Sequence, residues 1–222
     1  EFLSVSSSAH LLFPSLLFGA KDFGIVFDIS VHAGTLAAVI YYFKKEILGL
    51  LHAWMPWSHN RSKENFSLGL HLIVATLPIV LVGLLASDLS ESRSANINSI
   101  AWANLIFAAL LFAAYKSSSQ SRSLAELTLF AALIIGCFQA LAVFPGASRS
   151  GMAITGALII GLNIKDTSRF AFLLSIPTIL GALILMLAKG AFSIASSDML
   201  IMLTGFLGSA FVAFFTIKSF LR

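Results

Sequence analysis

The chain has 222 residues, of which 58% are hydrophobic and 11% charged, and its mean hydropathy is +0.94. Soluble domains are about a quarter charged, so this composition excludes a water-soluble globular domain and points to a bilayer. The net charge of +4 does not indicate nucleic acid, because Lys and Arg collect in the cytoplasmic loops of membrane proteins, and the lone Cys137 excludes a disulfide framework.

The chain opens on EFLSVSSSAHLLFPSLLFGA, an apolar stretch with a Ser-rich break. Residue 1 is Glu rather than Met, and the chain is expected to start inside a longer protein. A first membrane-spanning helix is expected near 23–43, since about 20 apolar residues cross a bilayer. The polar stretch that follows, roughly 44–66, contains a short amphipathic helix, KKEILGLLHAW. Spans near 67–86 and 99–115 flank the loop SDLSESRSANIN. The second of these is short and is expected to extend into its flanks. After the loop KSSSQSRS comes LAELTLFAALIIGCFQALAVFPGASRSGMAITGALIIGL, residues 124–162. It is too long for one span and breaks at its middle. Such a pattern marks a re-entrant hairpin, with non-helical backbone at membrane depth shielded by protein. Further spans are expected near 167–188 and 198–218.

The two broken segments resemble each other. Ser6-Ser7-Ser8-Ala9 aligns with Ser148-Arg149-Ser150-Gly151, and Phe27 and Gly34-Thr35 align with Phe170 and Pro177-Thr178. The expected architecture is a single polytopic all-α membrane domain over residues 1–222, built as a duplicated unit. The first repeat is 1–115, its hairpin incomplete, and the second is 124–222, its last helix missing. Five spans here imply about six in the full protein, at about 20 residues per helix.

Charge sets the orientation. With the 44–66 loop inside, Lys44, Lys45, Arg61, Lys63, Lys116, Arg122, Lys165, Arg169, Lys218 and Arg222 all fall on the cytoplasmic side. Only Lys21, Arg93 and Lys189 fall outside, a strong bias. Three spans separate the hairpins, so the first opens outward and the second to the cytoplasm. Inverted-topology repeats bind their ligands near the midplane, where the repeats meet.

Arg149 is the most informative residue. It sits in PGASRSG, and an Arg at membrane depth costs about 2.5–3.5 kcal/mol on the insertion scale. A planar, two-pronged guanidinium in that place suits a phosphate or carboxylate. Ser148 and Ser150 fit the N-cap of the half-helix that follows, and Ser6, Ser7 and Ser8 do the same for the first hairpin. Half-helix N-termini aim free N–H groups at the membrane centre, where they suit an anion. His10 follows Ser7 by three residues and shares its face if the helix has begun. A Ser–His pair is the minimum for an activated nucleophile. Glu1 would orient His10 or bind a metal. Asp28 and His32, four residues apart on the first span, and Gln139 in the hairpin are expected to support the site from behind. His71 and Glu126 read as interface residues, and Pro78 and Pro177 as kinks.

EFLSVSSSAH and PGASRSG resemble the two signature motifs of the undecaprenyl-diphosphate phosphatases, the bacitracin-resistance membrane family. FDISVHAGTLAAV and FLLSIPTILGA are similar to further segments of it. The resemblance implies a bacterial plasma-membrane enzyme with its site facing the periplasm. It would convert undecaprenyl diphosphate to the monophosphate carrier lipid of peptidoglycan synthesis and confer bacitracin resistance. It also implies a divalent cation, Mg or Ca. Glu1 matches the second acid of the family's E-x-x-x-E motif, Ser7 and His10 its catalytic pair, and Arg149 the arginine of its second motif. The first acid would precede residue 1, and Ser4 stands where the family usually has Pro.

The chemistry of the residues agrees with that resemblance. Arg149 and the helix N-termini would neutralise phosphate oxygens, and Ser7, with His10 as base, would attack the terminal phosphorus. An alternative makes His10 the nucleophile and gives Ser7 the phosphate. The expected partners are a polyprenyl diphosphate lipid and membrane lipids, with no nucleic acid and homo-oligomerisation left open. The rival function is a lipid-phosphate transporter or flippase using the same anion pocket, since broken helices in inverted repeats are transporter architecture.

Overall fold

The computed structural model describes residues 18–19, 24–55, 62–85, 97–188 and 199–221. Eight α-helices run in chain order among them: α1 Gly24–Tyr42, α2 Lys44–Trp54, α3 Lys63–Leu85, α4 Ile97–Ser117, α5 Leu129–Ala140, α6 Arg149–Ile159, α7 Ile164–Ala188 and α8 Met199–Phe220. No strand occurs among the described residues. Four helices are long and apolar enough to cross a membrane: α3, α4, α7 and α8. The first expected span is α1, of 19 residues, within the length range that spans a bilayer. The protein is a multi-pass membrane protein.

Each expected span is a helix, and the differences lie at the ends. α3 begins at Lys63 and α7 at Ile164, each a few residues before its apolar run. Charged residues occupy these first turns, Glu64 and Asp166 among them. Apolarity marks the part of a helix in lipid, whereas the hydrogen-bonded helix continues into the headgroup region. α4 extends into both flanks, to Ile97 and Ser117. α2 matches KKEILGLLHAW residue for residue. The loop SDLSESRSANIN lies almost wholly outside the described residues, as does the first broken segment apart from Phe18 and Gly19.

Small residues let the helices approach. A Cβ on Gly34 of α1 would collide with the Phe206 carbonyl and the Ser209 hydroxyl of α8. One on Gly205 of α8 would come within 2.6 Å of the Phe27 ring and 2.9 Å of Ser30 Oγ. Ser30-xxx-Gly34 thus meets Gly205-xxx-Ser209. Lipid supplies little hydrophobic drive between helices, so close backbone packing must hold them. α5 meets α3 in the same way, Gly136 lying against the backbone of Ala75. The core centres on α7, where Phe170, Phe172, Leu173 and Leu174 are fully buried.

One end of the bundle is stitched by polar groups. Gly161, with φ +93°, ends α6: its N–H donates to the Leu158 carbonyl at 2.9 Å and that of Leu162 to Ala157 at 3.1 Å, a Schellman closure. The 118–126 loop then pairs with this turn. Arg122 N–H donates to the Gly161 carbonyl, Asn163 N–H to the Arg122 carbonyl, and Leu124 N–H to Asp166 at 2.8 Å. Connectivity places eight of the nine described Lys and Arg residues at this end: Lys44, Lys45, Lys63, Lys116, Arg122, Lys165, Arg169 and Lys218. The ninth is Arg149.

Candidate active site

The hairpin formed by α5 and α6 carries the site. α5 starts at the N-cap Thr128, whose hydroxyl accepts from Ala131 N–H at 3.2 Å. After 12 residues it tightens into a 3-10 turn, Leu141–Val143. The chain then reverses at Phe144–Ala147, closed by Ala147 N–H donating to the Phe144 carbonyl at 3.0 Å. Pro145 and Gly146 are the central pair, and Gly146 has φ +97°, the conformation a type II turn demands at that position. A Cβ there would also lie 2.7 Å from the Ile100 carbonyl of α4. Glycine is therefore required twice over.

Ser148 caps α6 as expected. Its hydroxyl accepts from Gly151 N–H at 3.2 Å and lies 3.3 Å from Ser150 Oγ. Every residue of α6 from Ser150 to Leu158 is buried. This N-terminus therefore opens inside the protein. Its partial positive charge is unscreened by bulk water.

Arg149 completes the cap. Its Nη1 is buried and has no hydrogen-bond partner among the described residues. A buried donor without an acceptor costs about 1–3 kcal/mol, and more when charged. Gln139, 1% exposed, likewise holds Nε2 without a partner. Both are buried donors free to receive negative charge, and Arg149 is the first residue of α6.

Beside the cap is a small cavity of about 10 Å³ lined by Asn104, Ser148, Gly146 and Gly151, room for one water. A larger, apolar crevice of about 300 Å³ shares Ala108 and Leu111 with it and extends along α4 towards Tyr115 and Phe220. Asn104 went unremarked in the sequence. Its amide donates to the Ile100 carbonyl at 3.2 Å. An Asn inside an apolar span was the available signal.

The other candidates divide into two groups. Glu1, Ser6, Ser7, Ser8 and His10 lie outside the described residues. Asp28 and His32 are on α1, which packs on α7 and α8. For the expected cation, no three His, Cys, Asp or Glu residues come together among the described residues. The unsatisfied side-chain groups of the described hairpin, on Arg149 and Gln139, are donors, which suit an anion.

The whole chain, residues 1–222, matches the family model described as bacitracin resistance protein BacA. Relatives named undecaprenyl-diphosphatase share its sequence. That of Saccharophagus degradans is 48% identical over 179 residues, covering 81% of this chain and 68% of the relative. That of Alcanivorax borkumensis is 41% identical over 223 residues, covering 100% of this chain and 84% of the relative. That of Teredinibacter turnerae is 44% identical over 180 residues, covering 81% and 68%. The chain is a member of the bacitracin resistance protein BacA family.

Proposed function

We propose that the protein hydrolyses undecaprenyl diphosphate to undecaprenyl phosphate and phosphate, in the bacterial inner membrane and with its site open to the periplasm. The observation that carries this is the buried Arg149 Nη1 without a partner at the N-terminus of a buried half-length helix. The relatives' shared name supplies the reaction.

Arg149 and the free N–H groups of α6 bind the terminal phosphate and stabilise the charge that gathers on its oxygens during transfer. Ser148 and Ser150 hold the cap geometry and contact phosphate oxygens, as Ser6 and Ser8 would from the first hairpin. Gln139 adds a donor from α5. Ser7 Oγ attacks the terminal phosphorus while His10 takes its proton. The bond to the bridging oxygen breaks, and undecaprenyl phosphate leaves. Water then hydrolyses the phosphoserine. A divalent cation held by Glu1 would supply charge neutralisation. Asp28 and His32 act at a distance, through the elements that meet α1.

The repeat reading pairs α1 with α7 and α3 with α8, so that the α1–α8 and α3–α7 interfaces correspond, the first being much the more extensive of the two. The contact between α1 and α7 then lies across the two-fold axis. On this reading α5 and α6 form a re-entrant hairpin, its cation-rich end cytoplasmic.

Phosphate release from a prenyl diphosphate by the full-length protein in detergent tests the activity. A wild type that binds the lipid yet releases no phosphate would establish the transporter instead. Quenching during turnover identifies the nucleophile: acid-stable phosphoserine for Ser7, or acid-labile, base-stable phosphohistidine for His10.

A further inference from the structure

α2 has two unlike faces. Its inner face is spent on the protein. Ala53 is 1% exposed, Ile47 and Leu50 pack on the core, and Glu46 accepts from Arg169 Nε of α7 at 2.9 Å. Trp54 flanks this face and stacks on Phe66 of α3, with centroids 4.8 Å apart. The outer face is a ridge of Leu48, Leu51 and Met55, which are 53%, 53% and 37% exposed. Their spacing of three and four residues puts them on one side of the helix. Exposed Lys44 lies on that side, and exposed His52 and Lys45 border it.

The surroundings say what covers the ridge. α2 connects the ends of two membrane-crossing elements, α1 and α3, at the end of the molecule that gathers eight cations. Tyr41, Tyr42 and Tyr115 are at that same end, with Lys44 Nζ 4.5 Å from the Tyr41 ring centroid. Aromatic side chains at span ends mark the headgroup level. An apolar ridge bordered by lysines at that depth is complementary to a leaflet of negative headgroups over acyl chains.

We propose that α2 lies in the membrane plane as an interfacial helix. Leu48, Leu51 and Met55 enter the acyl boundary, and Lys44, Lys45 and His52 contact the headgroups of anionic phospholipid. The Glu46–Arg169 pair fixes the helix's rotation, so the ridge cannot turn back to the protein.

Single spin labels at positions 45, 48, 51, 52 and 55 test this, in full-length protein carrying Cys137→Ser. The protein is reconstituted in phosphatidylcholine vesicles containing one quarter phosphatidylglycerol. Labels at 48, 51 and 55 are expected to collide several-fold more with oxygen than with a charged nickel chelate, and labels at 45 and 52 the reverse. The ridge labels are expected to move towards water in pure phosphatidylcholine. They should do so again in the anionic vesicles when Lys44→Gln and Lys45→Gln are combined. Equal accessibility at all five positions overturns the planar seating. A ridge that stays at one depth without phosphatidylglycerol, and without the lysines, overturns the anionic contact.

Discussion

The α1–α8 pair and the α5–α6 hairpin both place polar side chains inside the protein, and they differ in what they leave unsatisfied. In the pair and its neighbour α7, buried hydroxyls return to their own helix, as Thr155 does in α6 at 2.7 Å from the Gly151 carbonyl. Ser30 donates to Phe27, Thr35 to His32, Ser209 to Phe206, Ser175 to Phe172 and Thr178 to Leu174, all within 3.0 Å. Such bonds satisfy the donor without a partner helix. In the hairpin, Ser148 accepts from Gly151 N–H at the N-terminus of α6, and Arg149 and Gln139 keep donors unsatisfied. Donors satisfied within a helix need no ligand, whereas donors held open can receive one.

Breaking the open set should have the largest effect. Arg149→Ala is expected to cost a factor of about 10²–10³ in phosphate release, roughly 3–4 kcal/mol, with unchanged helicity by circular dichroism. Arg149→Lys should be nearly as poor, because a point charge does not reproduce the two-pronged donor. Next comes the scaffold. Gly34→Leu in α1, facing the Phe206 carbonyl, is expected to cost about 1–3 kcal/mol through overpacking. Thermal unfolding in detergent would show it, with activity falling only as folded protein is lost.

Gln139→Leu sharpens the contrast through its sign. Losing a donor to the phosphate should weaken substrate binding about ten-fold, for a net bond of about 1–1.5 kcal/mol. Removing an unsatisfied buried amide should leave the melting temperature unchanged or higher. A fall in both would make Gln139 structural. Thr178→Val removes a donor satisfied within its own helix and should cost about 0.5–1.5 kcal/mol of stability, with no change in KM.

The smallest effect is a pH dependence in the 118–126 loop. Accepting from the Ser123 backbone N–H, then from its hydroxyl, with Arg122 nearby, holds the Glu126 carboxyl below the usual carboxylate range. A depressed pKa means that the contribution is present above the unfolded value and lost as pH falls through the folded one. The protection of the Ser123 amide against exchange, taken relative to the unprotected rate at each pH, should therefore fall on acidification, and Glu126→Gln should flatten that response.

The spans, the short helix α2, the break at Pro145-Gly146 and the capping role of Ser148 were all legible from residue order. Each depends on interactions within a few positions: a run of apolar side chains, a proline, a glycine, a hydroxyl before a helix. The gathering of eight cations at one end was legible too, because alternate spans reverse direction. Asn104 was not, since nothing near it in the chain reveals that α4 passes beside Gly146. Gly34 and Gly205 are 171 positions apart, and no local pattern shows that their helices touch. The sequence by itself determined which segments enter the bilayer and where one of them breaks. Tertiary packing alone decided which buried donors find acceptors, because that depends on what each neighbouring helix presents at contact distance. Arg149 and Gln139 were left open on that account.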